Sequence, residues 1–267
     1  MRDIFGSFIV AFSMYSRIPM PQVEWTRERM RYAMCFFPLI GVVIGAAQLA
    51  LYYLLSPENS FLAASFRESD ISLRVIRTVL GLALPLLITG GIHMDGFLDV
   101  TDARHSYGSR EKKLTILSDP HVGAFAVIGF GVYLLIYGAG FFVLSFAQIR
   151  ILALVYVWER ALSGLSVVTF PMAKQDGLAA QFSKAAVKKT VRLVMLFYLL
   201  AGGVLLFRTA LWPGLFCMAV MAGTFASYYR RSVTEFGGIT GDLAGHFLQC
   251  CERNAVLALA FCGLFGI

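Results

Sequence analysis

Apolar residues in this chain fall in long runs, and polar residues are confined to the breaks between them. Residues 33–55 contain no charge, and neither do residues 122–147. Residues 78–94 form a slightly shorter run between Arg77 and Asp95. A fourth run, 151–172, is interrupted only by Glu159 and Arg160, and runs 193–207 and 209–229 are separated only by Arg208. The last, 255–267, is short and spans a membrane only if part of 243–254 extends it. A spanning helix needs about 20 mostly apolar residues, so the pattern predicts about seven transmembrane helices. Residues 4–15 are apolar but too short to span, and no cleavage site follows them. That stretch is expected to lie in the interface or bury against the bundle. Pro85, Gly90 and Gly91 are expected to break the second helix, which is tolerable where protein covers the freed backbone.

Composition agrees with the pattern. The chain has 267 residues, of which 58% are hydrophobic and 15% charged, with a mean hydropathy of +0.72. Soluble domains are about 25% charged, so a soluble enzyme, a disordered chain and a secreted disulfide scaffold are all excluded. The expected fold is an all-α, polytopic membrane bundle in one catalytic domain, residues 1–267, with no internal repeat or linker. Cys35, Cys217 and Cys262 lie in apolar runs and Cys250–Cys251 are adjacent. No Cys-x-x-Cys pair points to zinc or redox chemistry.

The net charge of +7 matters for where it sits. Alternate non-span segments hold seventeen Lys and Arg on one side and five on the other, with Arg160 left inside a span. The positive-inside rule then puts the N-terminus and segments 95–121, 173–192 and 230–253 in the cytoplasm. The expected location is the cell (inner) membrane, multi-pass, with an active site facing the cytoplasm. Anionic membrane lipid is an expected partner for the basic loops, and no nucleic acid is expected.

The most informative segment is 90–123. It runs Gly90-Gly91-Ile92-His93-Met94-Asp95-Gly96-Phe97-Leu98-Asp99-Val100-Thr101-Asp102-Ala103, then Ser109-Arg110-Glu111-Lys112-Lys113-Leu114, then Asp119-Pro120-His121-Val122-Gly123. Asp95, Asp99 and Asp102 are spaced i, i+4, i+7, which on a helix is one face. Three bare carboxylates there repel each other unless a cation sits among them. Oxygen ligation of this kind suits Mg²⁺ or Mn²⁺, which use a few carboxylates together with substrate phosphates. The basic run Arg110–Lys113 is close enough in sequence to hold a pyrophosphate at the same place. His93 is a candidate base, metal ligand or helix-end hydrogen-bonding residue. Glu159 and Arg160 are costly inside a span and should face the bundle interior. As neighbours diverging by about 100° on a helix, they are expected to need separate partners rather than each other. Gly237-Gly238-Ile239-Thr240-Gly241-Asp242 is a glycine-rich turn entering the last helix. It is able to bring N–H groups to a phosphate, with Asp242 as metal ligand or cap.

Taken together, these motifs resemble cobalamin synthase, the adenosylcobinamide-GDP ribazoletransferase family. The resemblance rests on His-x-Asp-Gly-x-x-Asp-x-x-Asp, on Ser-Arg-Glu-Lys-Lys-Leu and on Asp-Pro-His-Val-Gly-Ala-Phe. It extends to Ser16-Arg17-Ile18-Pro19-Met20-Pro21, Phe37-Pro38-Leu39-Ile40-Gly41, Arg160, Pro171, Gly177-Leu178 and Gly237 through Leu243, in order along nearly the whole chain. It departs from the family pattern at Ala103-Arg104, Met94, Lys174 and Ser16. The resemblance implies transfer of the adenosylcobinamide phosphate group to a ribose hydroxyl of α-ribazole or its 5′-phosphate, with release of GMP. It also implies Mg²⁺ on Asp95, Asp99 and Asp102, and a proton acceptor among these carboxylates or His93. Substrate contacts are expected at Arg17, Ser109, Arg110, Lys113, Arg160, Gly241 and Asp242. A CDP-alcohol phosphotransferase-like or prenyltransferase-like enzyme would also use aspartates, Mg²⁺ and a diphosphate. The first normally carries Ala-Arg where this chain has Leu98-Asp99, and the second needs two aspartate-rich motifs. A secondary transporter would place its ionisable groups near the midplane, whereas here most lie at one face.

Overall fold

The computed structural model describes residues 2–55 and 71–266. Arg67 of the second basic segment and Ile267 at the end of the seventh expected span lie outside them. In chain order the helices are α1 (Arg2–Tyr15), α2 (Arg27–Met30), α3 (Ala33–Leu54), α4 (Ile71–Thr89), α5 (Ile92–His105) and α6 (Arg110–Ile116). They continue as α7 (Ala124–Phe142), α8 (Phe146–Thr169), α9 (Leu178–Ala185), α10 (Lys188–Thr209), α11 (Leu211–Arg231) and α12 (Gly241–Leu264). A π turn, Ser232–Phe236, extends α11. Among the described residues seven helices are long and apolar enough to cross a membrane: α3, α4, α7, α8, α10, α11 with its π turn, and α12. The chain is thus all-α and multi-pass. In lipid every backbone N–H and C=O must be satisfied internally, and a helix does so within one segment.

The spans match the apolar runs with informative shifts. The second ends at Thr89 because Gly90 and Gly91 take φ of +67° and +79°, a left-handed conformation that favours glycine. Pro85 stays inside α4. The aspartate segment is therefore a separate helix, α5. The seventh span takes up residues 241–254, as its short apolar tail required. Helix α1 buries Ile9, Val10, Ala11 and Phe12 and packs against α3, so the short N-terminal run is part of the bundle.

Helix α8 runs through the centre. Gly41 and Gly45 of α3 lie against the backbone of Tyr156 and Ala153, and a Cβ on Gly45 would sit 2.7 Å from the Ala153 carbonyl oxygen. Two small residues four apart let helix backbones touch, the main route to tight packing where lipid supplies no hydrophobic drive. On the outside, Leu87, Leu135, Phe197 and Leu200 are exposed, as side chains facing acyl chains should be. The five cysteines are all free.

The polar segments gather at one end. Lys174 Nζ donates to the Leu114 carbonyl at 3.1 Å and to Ser118 Oγ at 2.6 Å. Glu235 receives Lys113 Nζ at 3.1 Å and Arg104 Nε at 3.2 Å. The Val187 amide donates to the Arg31 carbonyl at 3.2 Å, and the Arg17 amide to the Ile88 carbonyl at 2.7 Å. The N-terminal, 95–121, 173–192 and 230–253 segments thus meet, as the alternating charge count requires of segments on one side.

Candidate active site

Helices α5 and α12 cross here because each has a glycine at the crossing. A Cβ on Gly96 would lie 2.7 Å from the Asp242 carbonyl oxygen and 2.8 Å from its Cα, and one on Gly245 would lie 3.0 Å from the His93 carbonyl oxygen. The crossing brings Asp242 beside Asp95 and Asp99. The Asp99 carboxyl is pushed up to about 6, first by partial burial and then by the negative charges of Asp95, Asp242 and Asp102. Sequence spacing showed three of these four; the fourth comes from a helix some 140 residues later in the chain.

A cavity of about 370 Å³ opens beside the crossing. The first turns of three helices line it: Ile92, His93 and Asp95 of α5, Leu178 to Ala180 of α9, and Gly241 and Asp242 of α12. Each helix N-terminus carries roughly half a positive charge and outward-pointing N–H groups, which favour an anion. Thr240 Oγ1 accepts from the Leu243 amide at 3.2 Å and so caps α12. That leaves Asp242 facing the cavity, with Thr240 donating to it at 3.3 Å. In the glycine-rich turn the amides of Gly237, Gly238 and Ile239 are already spent on Val233, Ser232 and Pro171 carbonyls. The turn is therefore internally bonded, and only its junction with α12, at Thr240–Asp242, reaches the cavity. The Ile239 bridge to Met172 ties the turn to the segment carrying Lys174 and Asp176, which also line the cavity.

His93 lines the cavity, 4% exposed, stacked on Tyr15 with ring centres 6.2 Å apart and edge-on to Phe37 at 5.9 Å. Its Nε2 is buried with no partner among the described residues. Burial, and secondarily the charge of Arg160, hold it well below the usual histidine range, so it is neutral at pH 7.

Several expected residues sit elsewhere. Asp102 Oδ1 accepts from the Ala126 amide at 3.0 Å, and its carboxylate presses on Gly123, the residue preceding α7. It caps α7 from a neighbouring helix. Ser109 caps α6 by accepting from the Lys112 amide at 3.4 Å. Lys113 is paired with Glu235, Arg110 lays its guanidinium over Gly237, and Arg17 lies over Gly90. Arg160 corrects the expectation drawn from helix geometry. It is fully buried and pairs with its own neighbour, Glu159 Oε1, at 2.5 Å, and with Glu252 Oε1 of α12 at 3.5 Å. Its long side chain curls back along α8, also donating to the Tyr156 carbonyl at 3.1 Å, so the divergence of adjacent Cα–Cβ bonds does not keep the charges apart. Nor does Arg160 line the cavity; Ser163, one turn on, does. Sequence reasoning passed over Glu235 and Glu252, and it named Gly177-Leu178 at the start of α9 without giving it a role. Glu252, an acid deep in the last apolar helix, was the one signal available.

Among the described residues, no three His, Cys, Asp or Glu side chains close on one point as a ready-made metal cage. Mg²⁺ does not require one, because it keeps several waters and takes one or two carboxylates plus substrate phosphates. The donors at this crossing are all oxygens, and Asp99 is raised by partial burial and then by the neighbouring carboxylates. The residues present therefore fit such an ion.

Comparison with known proteins gives one consistent result. A family model described as cobalamin-5-phosphate synthase matches residues 7–260. A protein of Lachnoclostridium phytofermentans named adenosylcobinamide-GDP ribazoletransferase is 44% identical over 256 residues, covering 95% of this chain and 93% of its own. Proteins of the same name from Clostridium perfringens and Desulfitobacterium hafniense are each 32% identical, over 97% and 91% of this chain and 99% and 92% of theirs. No solved structure matches.

Proposed function

We propose, since the chain belongs to the cobalamin-5-phosphate synthase family, that it is an adenosylcobinamide-GDP ribazoletransferase of cobalamin biosynthesis. In the proposed reaction a ribose hydroxyl of α-ribazole or its 5′-phosphate attacks the phosphorus that carries adenosylcobinamide. The new P–O bond forms as the bond to the GMP phosphate breaks, and GMP leaves. Family membership sets aside the phosphotransferase-like, prenyltransferase-like and transporter readings. The observation that carries the site assignment is the meeting of Asp95 and Asp242 at a cavity lined by three helix N-termini.

Asp95, Asp99 and Asp242 would hold Mg²⁺, which when bound neutralises pyrophosphate charge and assists its transfer. Asp102 is then a positioning residue, fixing α5 against α7. The N-termini of α5, α9 and α12 receive phosphate oxygens through backbone N–H groups. Lys174, lining the same cavity, adds positive charge. The neutral imidazole of His93 accepts the proton of the attacking hydroxyl, and the ring packing of Tyr15 and Phe37 keeps water from it. Arg110, lying on Gly237, is available to the leaving phosphate, whereas Lys113 is held by Glu235. The site faces the cytoplasm of the cell membrane, on the side richer in Lys and Arg even with Arg253 counted inside α12.

The test is protein in lipid with adenosylcobinamide-GDP, α-ribazole 5′-phosphate and Mg²⁺. The expected result is release of GMP with formation of the joined corrinoid. Release should stop with chelator and fall at least a hundredfold in Asp95→Asn. No turnover by folded protein with intact substrates would overturn the reading.

A further inference from the structure

A second cavity, of about 140 Å³, lies on the opposite side of α12, between α12, α11 and the end of α5. Arg104, Arg231 and Arg253 line it, with His246, Asn254 and Ser232. None of its lining residues is acidic. Among the described residues, Arg104 alone of the three reaches a carboxylate, that of Glu235. Arg253 donates through Nε and Nη2 to the neutral amide oxygen of Asn254, at 3.2 and 3.0 Å, while Asn254 in turn donates to Thr224 Oγ1 at 3.0 Å. Arg253 is twelve residues into a spanning helix, about 18 Å from its start by the rise per residue. Arg253 is partly buried and has no carboxylate partner among the described residues. Ser232, fully buried at the same cavity, leaves its Oγ without a partner among the described residues.

The guanidinium-bearing side chains of Arg231 and Arg253 line one partly open space with no carboxylate among its lining residues. An anion between them would accept from the N–H donors of both in charge-assisted hydrogen bonds. The space is several times the share of one water, about 30 Å³, and admits a phosphate group. Arg231, exposed at the charged end, marks the entrance. We propose that this cavity is a phosphate-binding site, separate from the cavity of Asp95 and Asp242, that takes either the headgroup of an anionic lipid or a soluble phosphate ester. Arg231 and Arg253 are its ligands, Ser232 adds a hydroxyl donor, and Asn254 and Thr224 hold Arg253 in place. This site does not depend on the proposed reaction.

The test uses full-length protein in phosphatidylcholine nanodiscs, with two probes. One adds phosphatidylglycerol to the bilayer and counts lipid retained by native mass spectrometry. The other titrates inorganic phosphate by calorimetry without Mg²⁺. Wild type is expected to hold one of the probes about tenfold more tightly than Arg231→Gln or Arg253→Gln, the loss of one charge-assisted hydrogen-bonding partner. Retention of phosphatidylglycerol alone assigns the lipid source. Dependence on inorganic phosphate, alone or as well, assigns a soluble ligand. Phosphate binding that survives in both variants belongs to the first cavity. Arg231 is exposed, so Arg231→Gln should fold even if Arg253→Gln does not. Equal affinity of wild type and Arg231→Gln for both probes, or binding of neither, overturns the proposal.

Discussion

Gly96 lies close against the backbone of Asp242, and this contact gives the sharpest prediction. Alanine at residue 96 would put a Cβ 2.7 Å from the Asp242 carbonyl oxygen and 2.8 Å from its Cα. Ordinary contact begins near 3.4 Å, so α5 and α12 must part by about 0.7 Å. Both obstructing atoms are backbone, so no side-chain rotation relieves the clash. Overpacking of this kind costs about 1–3 kcal/mol. The larger effect is on geometry, because Asp242 moves away from Asp95 and Asp99 together with the start of α12. A misplacement near 1 Å can cost about a hundredfold in rate, so Gly96→Ala should lose about that factor in GMP release while remaining folded. The control is Gly131→Ala on the exposed side of α7, where a Cβ meets nothing within 4 Å; it should keep full activity. Both variants would be reconstituted in lipid and measured for GMP release and thermal unfolding. Wild-type turnover by Gly96→Ala would refute the claim that the α5–α12 crossing sets the site.

Other consequences follow from single contacts. Asp102→Ala removes the cap of α7 and should cost about 1 kcal/mol of stability, whereas Asp102→Asn keeps an acceptor and most of that stability; equal losses in thermal unfolding would remove the capping role. Asp99 has its folded value raised from the ordinary 3.8 to about 6. Its stabilising contribution in metal-free protein is complete below about 4 and is lost as pH rises through about 6. Unfolding temperature measured in chelator should fall across that window, and Asp99→Asn should flatten the slope. Glu252→Ala strips one carboxylate from fully buried Arg160 and should cost about 3 kcal/mol or more, with Glu252→Gln milder. A denaturation midpoint unchanged in Glu252→Ala would show that Glu159 alone satisfies the arginine.

The two polar groupings inside the bundle differ in how readable they are from the chain. Asp95, Asp99 and Asp102 share a helical face by arithmetic, and that arithmetic holds on α5. It does not say which carboxylate is spent on structure. Asp102 faces the N-terminus of α7, whose free amides attract it, while Asp95 and Asp99 face α12. Arg160 shows the converse. Rotation per residue correctly describes where Cα–Cβ bonds point, but a long side chain in a medium without water bends to the nearest carboxylate, even that of its neighbour.

Length of apolar runs alone determined seven spans, because an apolar segment of about 20 residues has only one low-energy place, across a bilayer with its backbone bonded to itself. Alternation of Lys and Arg separated the polar segments into two sets, and one of those sets does meet at one end of the bundle. The spacing of carboxylates along one helix marked a candidate site, and two of the three, Asp95 and Asp99, lie beside Asp242. Tertiary structure alone decided that Asp242 joins Asp95 and Asp99, that α9 brings a third helix N-terminus to the same cavity, and that Arg160 closes on Glu159 and Glu252. These depend on contacts between residues far apart in the chain, made where small residues such as Gly96 and Gly245 let two helices touch. Sequence records that those residues are small, but not which backbone comes to lie against them.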